Sequence, residues 1–158
     1  MSQIKISTLD PSSYFDFWIG DWELIWQNSD KSIGKGENSI FKTLNTKVIQ
    51  ENFEVVNDPN MNDFIGKSWS VYNINNGTWY QTWVDNQGSY LDFIGEIEEE
   101  KRIFKRTFVK SDGTIITQRM VFYDIEQDSF TWDWENSTDS KKTWKLLWRI
   151  NYKRKGAE

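Results

Sequence analysis

The chain has 158 residues, with 24 acidic against 19 basic side chains, a net charge of -5, ten tryptophans, and neither histidine nor cysteine. Such a length fits one domain, residues 1–158, able to bury a core without disulfides. The two missing residue types exclude histidine-ligated haem, the usual zinc and copper centres, thiol nucleophiles and every mechanism built on an imidazole base, so no metal and no cofactor is expected.

An acidic balance argues against non-specific nucleic-acid binding, which needs a basic footprint. The locally basic stretch 149–155 reads as a solvated terminus. No stretch is apolar enough to span a membrane, and residues 1–7 lack the apolar core of a signal peptide. The expectation is a cytoplasmic protein with a small-molecule partner, no nucleic acid and no membrane; a homodimer is left open.

In chain order, the first element is a short helix. Asp10 can cap it, Pro11 suits its first position, Ser12 to Trp18 continue it and Gly20 ends it. It is expected to lie across one end of the remaining structure. After Gly20 the pattern turns to two-residue alternation with turn residues about every ten to fourteen positions. Ten strands are predicted, at 21–28, 36–45, 47–56, 66–74, 78–85, 89–97, 102–109, 114–123, 129–135 and 143–153. Asn76-Gly77 and Asp112-Gly113 read as two-residue hairpin turns, Asn86-Gln87-Gly88 and Thr138-Asp139-Ser140 as looser ones. Residues 57–63, with Pro59, form the longest loop and a candidate lid.

Ten short strands in a meander would leave two unpaired edges in an open sheet, and closure removes them. The predicted fold is therefore an all-β, closed, antiparallel up-and-down barrel with one short N-terminal helix. At this strand number the barrel should enclose a cavity unless side chains fill it.

Turn geometry pairs residues across strands. A two-residue loop at Asp112-Gly113 sets Arg106 opposite Arg119 and Phe104 opposite Val121. Two like charges so opposed are unfavourable. On the outer surface, water and salt would screen them. Inside, they would need Glu51, Asp92 or Glu135, or an anionic ligand gripped by the guanidinium forks. A two-residue loop at Asn76-Gly77 sets Tyr72 opposite Gln81 and Ser70 opposite Trp83. Trp79, Gln81 and Trp83 then share a face with Tyr72 and Ile74, while Trp69, Val71, Tyr80 and Val84 form the other. Pure core chemistry favours the second face as interior; a lined binding cavity favours the first.

Strand nine alternates Phe130, Trp132 and Trp134 against Thr131, Asp133 and Glu135. The last strand alternates Trp144, Leu146, Trp148, Ile150 and Tyr152 against Thr143, Lys145, Leu147, Arg149 and Asn151. The aromatic rows are expected to point inward. Asp133 and Glu135 share a face and are candidates for paired acid–base work, although such pairs are common on solvated strands. Gly34-Lys35-Gly36 is no phosphate loop, because no Lys-Ser/Thr and helix come after it.

The run Phe17-Trp18-Ile19-Gly20-Asp21-Trp22 contains a G-x-W just after the helix, which resembles the opening of lipocalins and the wider calycin group. The segment Trp79-Tyr80-Gln81-Thr82-Trp83-Val84-Asp85-Asn86-Gln87-Gly88 is similar to the W-x-Q-x-W-V-D-x-x-G of a bacterial lipocalin-like family of unknown function. So is the end, with Trp134 to Asp139, Thr143-Trp144 and Tyr152-Lys153-Arg154, although Ser140-Lys141-Lys142 stands where that family has glycines. The resemblance runs from about Phe15 to Arg154. It implies a barrel like those of lipocalins and fatty-acid-binding proteins, with Arg149 or Arg154 packed over Trp22. Its emphasis on Gln81 and Trp83 favours the first face as lumen.

The function expected is binding of a small amphipathic or acidic molecule in the cavity, by a binding protein rather than an enzyme. Aromatics would enclose its apolar part, and Gln81 with the arginines would orient its polar end. The candidate ligand-binding residues are Glu51, Tyr72, Gln81, Trp83, Arg106, Arg119, Trp134 and Glu135; no catalytic residue is assigned. The alternatives are a histidine-free isomerase, lyase or hydrolase using cavity carboxylates, and carbohydrate binding by surface tryptophans.

Overall fold

The computed structural model describes residues 4–157; the two ends of the predicted domain, including the first three residues of the segment judged to lack a signal peptide, lie outside them. Three 3-10 turns, Ile6–Thr8, Pro11–Ser13 and Asp16–Trp18, precede ten strands. The strands are β1 (Gly20–Gln27), β2 (Ile33–Thr43), β3 (Val48–Asn57), β4 (Ile65–Asn73), β5 (Thr78–Asp85), β6 (Tyr90–Glu98), β7 (Lys101–Val109), β8 (Ile115–Tyr123), β9 (Ser129–Ser137) and β10 (Lys145–Arg154). Each pairs antiparallel with its neighbour in sequence, and β1 pairs with β10 to close the barrel. Among the described residues, no helix is long and apolar enough to cross a membrane.

The expected short helix is present as 3-10 turns. Asp10 caps the second of them by accepting from the Ser12 backbone N–H at 2.9 Å, and Pro11 opens it. The segment closes one end of the barrel. Phe15 and Trp18 enter the interior, each 1% exposed. Carbonyls along it receive Trp79 Nε1 (at Pro11, 2.8 Å), Arg102 Nε (at Tyr14, 3.0 Å) and Arg154 Nη1 (at Ile19, 2.8 Å). Of the two basic candidates for Trp22, Arg154 lies over its ring at 4.2 Å, whereas Arg149 is bound to Asp133. Gly20 makes this possible: its φ is +138°, and a Cβ there would sit 2.2 Å from Arg154 Nη1.

Strand β2 begins earlier than predicted because two glycines lie inside it. Glycine is a poor strand former by propensity. Here Gly34 and Gly36 face inward beneath the Trp26 indole, and a Cβ on Gly34 would meet Trp26 Nε1 at 2.1 Å.

Two hairpins depart from the expected register, with opposite consequences. The β4–β5 loop holds four residues, because Asn73 rather than Asn75 pairs with Thr78. The pairing slips by two, giving Ser70 opposite Gln81 and Tyr72 opposite Trp79, so the strand residues keep their expected faces, but Ile74, expected to share the inward face, falls in the turn and is 83% exposed. The β7–β8 loop holds three residues, with Lys110 N–H bound to the Thr114 carbonyl and Gly113 at φ +85°. That slip is by one. Arg106 faces Gln118, Arg119 faces Lys105, and Phe104 faces Met120. The predicted opposition of Arg106 and Arg119 does not exist: the first points in and the second out.

Candidate functional site

The inward row of each strand builds two different interiors. Beside the 3-10 turns, Phe15, Trp18, Trp22, Phe104, Phe122 and Phe130 are packed ring against ring and almost fully buried. Towards the other end lies a cavity of about 360 Å³. Its walls include Phe53, Phe64, Trp83, Trp132, Trp134 and Trp148. That size falls in the range of small-molecule sites, roughly 300–1,000 Å³.

Trp148 is the hub of the wall, meeting Trp26, Phe53 and Trp132 edge-on at 5.2, 5.8 and 5.9 Å between ring centroids. Trp83 lies flat over Gly66, where a Cβ would intrude to 2.1 Å of its ring. Its Nε1 donates to Asp85 Oδ2 at 2.9 Å. Burial raises the Asp85 pKa, but donors from Trp83, Ser89 and Gln87 outweigh it and hold this carboxyl below its ordinary range. The 57–63 loop, expected as a lid, is tied to the barrel wall by a residue that attracted no attention in the sequence. Asp58 is fully buried and accepts from Trp26 Nε1 at 2.6 Å and Asn28 Nδ2 at 3.0 Å.

Glu51 on β3 sits deep in the cavity and is 6% exposed. It accepts from Asn38 Nδ2 at 2.6 Å and Ser68 Oγ at 2.7 Å. The same Asn38 nitrogen donates to the Tyr152 hydroxyl at 3.1 Å. Burial pushes the Glu51 carboxyl up to about 6 against the pull of its two donors. Burial, and then the nearby Glu51, drive the Tyr152 phenol well above its ordinary value, so it stays a neutral proton donor. Beyond Ser68, Ser70 accepts from Gln81 Nε2 at 3.0 Å. Asn38 Oδ1 and Gln81 Oε1 are buried and receive no donor. The polar seam across β2 to β5 therefore leaves two amide oxygens unmet.

Of the eight predicted residues, Glu51, Trp83 and Trp134 line the cavity. Gln81 is buried in the seam beside it. Tyr72 points inward but lies at the closed end, against Trp79 at 5.6 Å. Arg106 points inward, donates to Gln118 Oε1 at 2.9 Å and covers Phe108; its Nε is buried without a partner. Arg119 and Glu135 lie outside, joined to one another at 3.1 Å, with Arg119 3.7 Å over the Trp144 ring. The Asp133–Glu135 acid pair is also on the outer face, where Asp133 is bound to Arg149 at 2.8 Å and to Tyr123 at 3.1 Å.

Trp148, Ile150 and Tyr152 point inward as expected; Trp144 and Leu146 do not. A bulge between Leu146 and Trp148 inserts a residue and turns the start of β10 over. Asn38, Ser68 and Tyr152 were missed as site residues. Asn38 and Ser68 signalled themselves only as polar residues at inward positions, and Tyr152 only as one more ring of the inward row of β10. None of the ten tryptophans is exposed, so there is no surface row of indoles. No group of three or more acidic residues that could hold a metal ion converges among the described residues. The chain matches no protein-family model and no curated protein.

Proposed function

We propose that the protein binds a small amphipathic molecule in the barrel, at the end away from the 3-10 turns. The supporting observation is a cavity of about 360 Å³ walled by four indoles, with the Glu51 carboxylate at depth and no lysine or arginine in its lining. A void of that size costs stability if it serves packing alone, and a buried carboxylate without a cation adds to the cost. An occupant that covers the indoles and engages Glu51 offsets both. The lipocalin-like resemblance agrees with this reading: the helical turns, the Trp22 of the G-x-W and the basic Arg154 over it meet at the closed end.

A second reading draws on one pair of groups. A carboxyl titrating near 6 beside a neutral phenol is the equipment of histidine-free proton transfer. It needs a bound substrate first, so the binding test precedes it.

The neutral fluorophore N-phenyl-1-naphthylamine is expected to bind with one-to-one stoichiometry and to quench tryptophan emission. Leu91→Trp, which fills the cavity, should abolish both effects while leaving thermal unfolding cooperative. Absence of binding to the wild-type protein, together with a native mass spectrum free of any co-purified molecule, would remove the proposal.

A further inference from the structure

Building on that cavity-binding reading, we infer that the occupant presents a protonated nitrogen to Glu51, so the ligand class is an aromatic or aliphatic amine rather than an acid. Three observations converge on this. The first is charge. The ionisable groups lining the cavity are Glu51 from β3, Asp85 from β5 and Tyr152 from β10, two carboxylates and a neutral phenol. Asp85 is committed to Trp83 and to the backbone of Gln87 and Ser89. Glu51 has only the neutral donors Asn38 and Ser68 and no ion-pair partner among the described residues.

The second observation is the hydrogen-bond balance around Glu51. Asn38 Oδ1 and Gln81 Oε1 are buried acceptors without donors. Turning the Asn38 amide over would set its oxygen against the carboxylate, so the deficit at Asn38 is not relieved by a flip. An ammonium group brings three donors and no acceptor. The third is the wall. Indole faces attract cations, and Trp83, Trp132, Trp134 and Trp148 surround the space.

The inward arginines do not reverse the sign. Arg102 and Arg154 are bound to carbonyls at the closed end. Arg106 is not itself a lining residue; it donates to the lining Gln118 on β8, the wall opposite Glu51 of β3, so it leaves the charge around Glu51 unpaired.

The test uses three probes of matched size: 2-phenylethylamine, 2-phenylethanol and 3-phenylpropionate, titrated calorimetrically into the wild-type protein at pH 7.5. The amine should bind at least tenfold tighter than the other two. Glu51→Gln should cancel that preference. In the wild-type protein, lowering the pH from 7.5 to 5 should weaken the amine about tenfold, because the amine stays charged while Glu51 takes up its proton near 6; Asp85, held low, remains ionised. This pH arm decides the matter even if the Glu51→Gln protein fails to fold. Equal or tighter binding of the acid, or an amine preference that survives Glu51→Gln or acidification, would overturn the inference. If N-phenyl-1-naphthylamine binds but the amine is not preferred, the cavity reading stands and the inference alone falls. If neither that fluorophore nor the three probes bind and the native mass spectrum shows no co-purified molecule, both fall.

Discussion

The two ends of this barrel use the same residue types to opposite effect. At the closed end, Phe15 stacks on Phe104 at 4.6 Å and Trp22 meets Phe130 edge-on at 4.9 Å, and all four rings are almost fully buried. At the other end, Trp83, Trp132, Trp134 and Trp148 stand around open space and are only partly buried. The difference lies in what is inserted. The 3-10 segment drives Phe15 and Trp18 into one mouth, and its carbonyls satisfy Trp79, Arg102 and Arg154. The opposite mouth is bordered by turns and by the Asp58-anchored loop, whose Phe64 reaches the cavity wall without filling it. Aromatic richness alone therefore does not make a cavity; it lines one where the backbone brings no plug.

Truncation should expose this contrast most strongly. Phe15→Ala removes a fully enclosed ring and is expected to cost about 3–5 kcal/mol. Trp134→Ala, on the cavity wall, is expected to cost roughly half as much or less, because part of that ring already lacks packing partners. Urea denaturation of both variants without ligand makes the comparison. Equal losses would mean that the two ends are packed alike.

A smaller effect concerns charge at depth. The folded-state pKa of Glu51 is raised from 4.5 to about 6, so its contribution to stability is fully present below about pH 4.5 and is lost as pH rises through 6. The loss amounts to about 2 kcal/mol at roughly 1.4 kcal/mol per pKa unit. Glu51→Gln should lack this component, so the wild-type minus variant stability should fall across that window and stay flat above it. A difference that is constant with pH would place Glu51 in contact with water.

The smallest effect is expected on the outer surface. Arg119→Leu breaks a largely covered ion pair with Glu135 and a contact with Trp144, and should cost about 1–2 kcal/mol. Probe affinity should not change. A loss of binding in this variant would mean that the outer ring of charge communicates with the cavity.

Alternation and turn spacing made the ten strands and the closed barrel legible, because a strand buried on one face must repeat every two residues. They also exposed the inward aromatics of β9 and the face carrying Trp79, Gln81 and Trp83. The cap at Asp10 and Pro11 was readable for the same local reason. Of the cavity-lining residues, Trp134 followed from the alternation of β9 and Trp83 from the resemblance that stresses it, whereas Glu51 entered only as a counter-charge for the arginines and interrupts the apolar inward row of β3.

What the residues could not disclose was decided by single positions of the backbone. One additional loop residue before Thr114 sent Arg119 outward, and one bulged residue near Leu147 turned Trp144 and Leu146 away from the lumen. Slips of two left the strand faces intact, so Gln81 stays on one face with Trp79 and Trp83 despite the incorrect pairing. The Asn38–Glu51–Ser68–Tyr152 cluster joins β2, β3, β4 and β10, and only closure of the sheet between β1 and β10 brings the last of these to the others. Local pattern determines which side of a strand is apolar; which polar groups meet, and whether they enclose a space, depends on register and closure, and these are set by contacts between residues as far apart as 38 and 152.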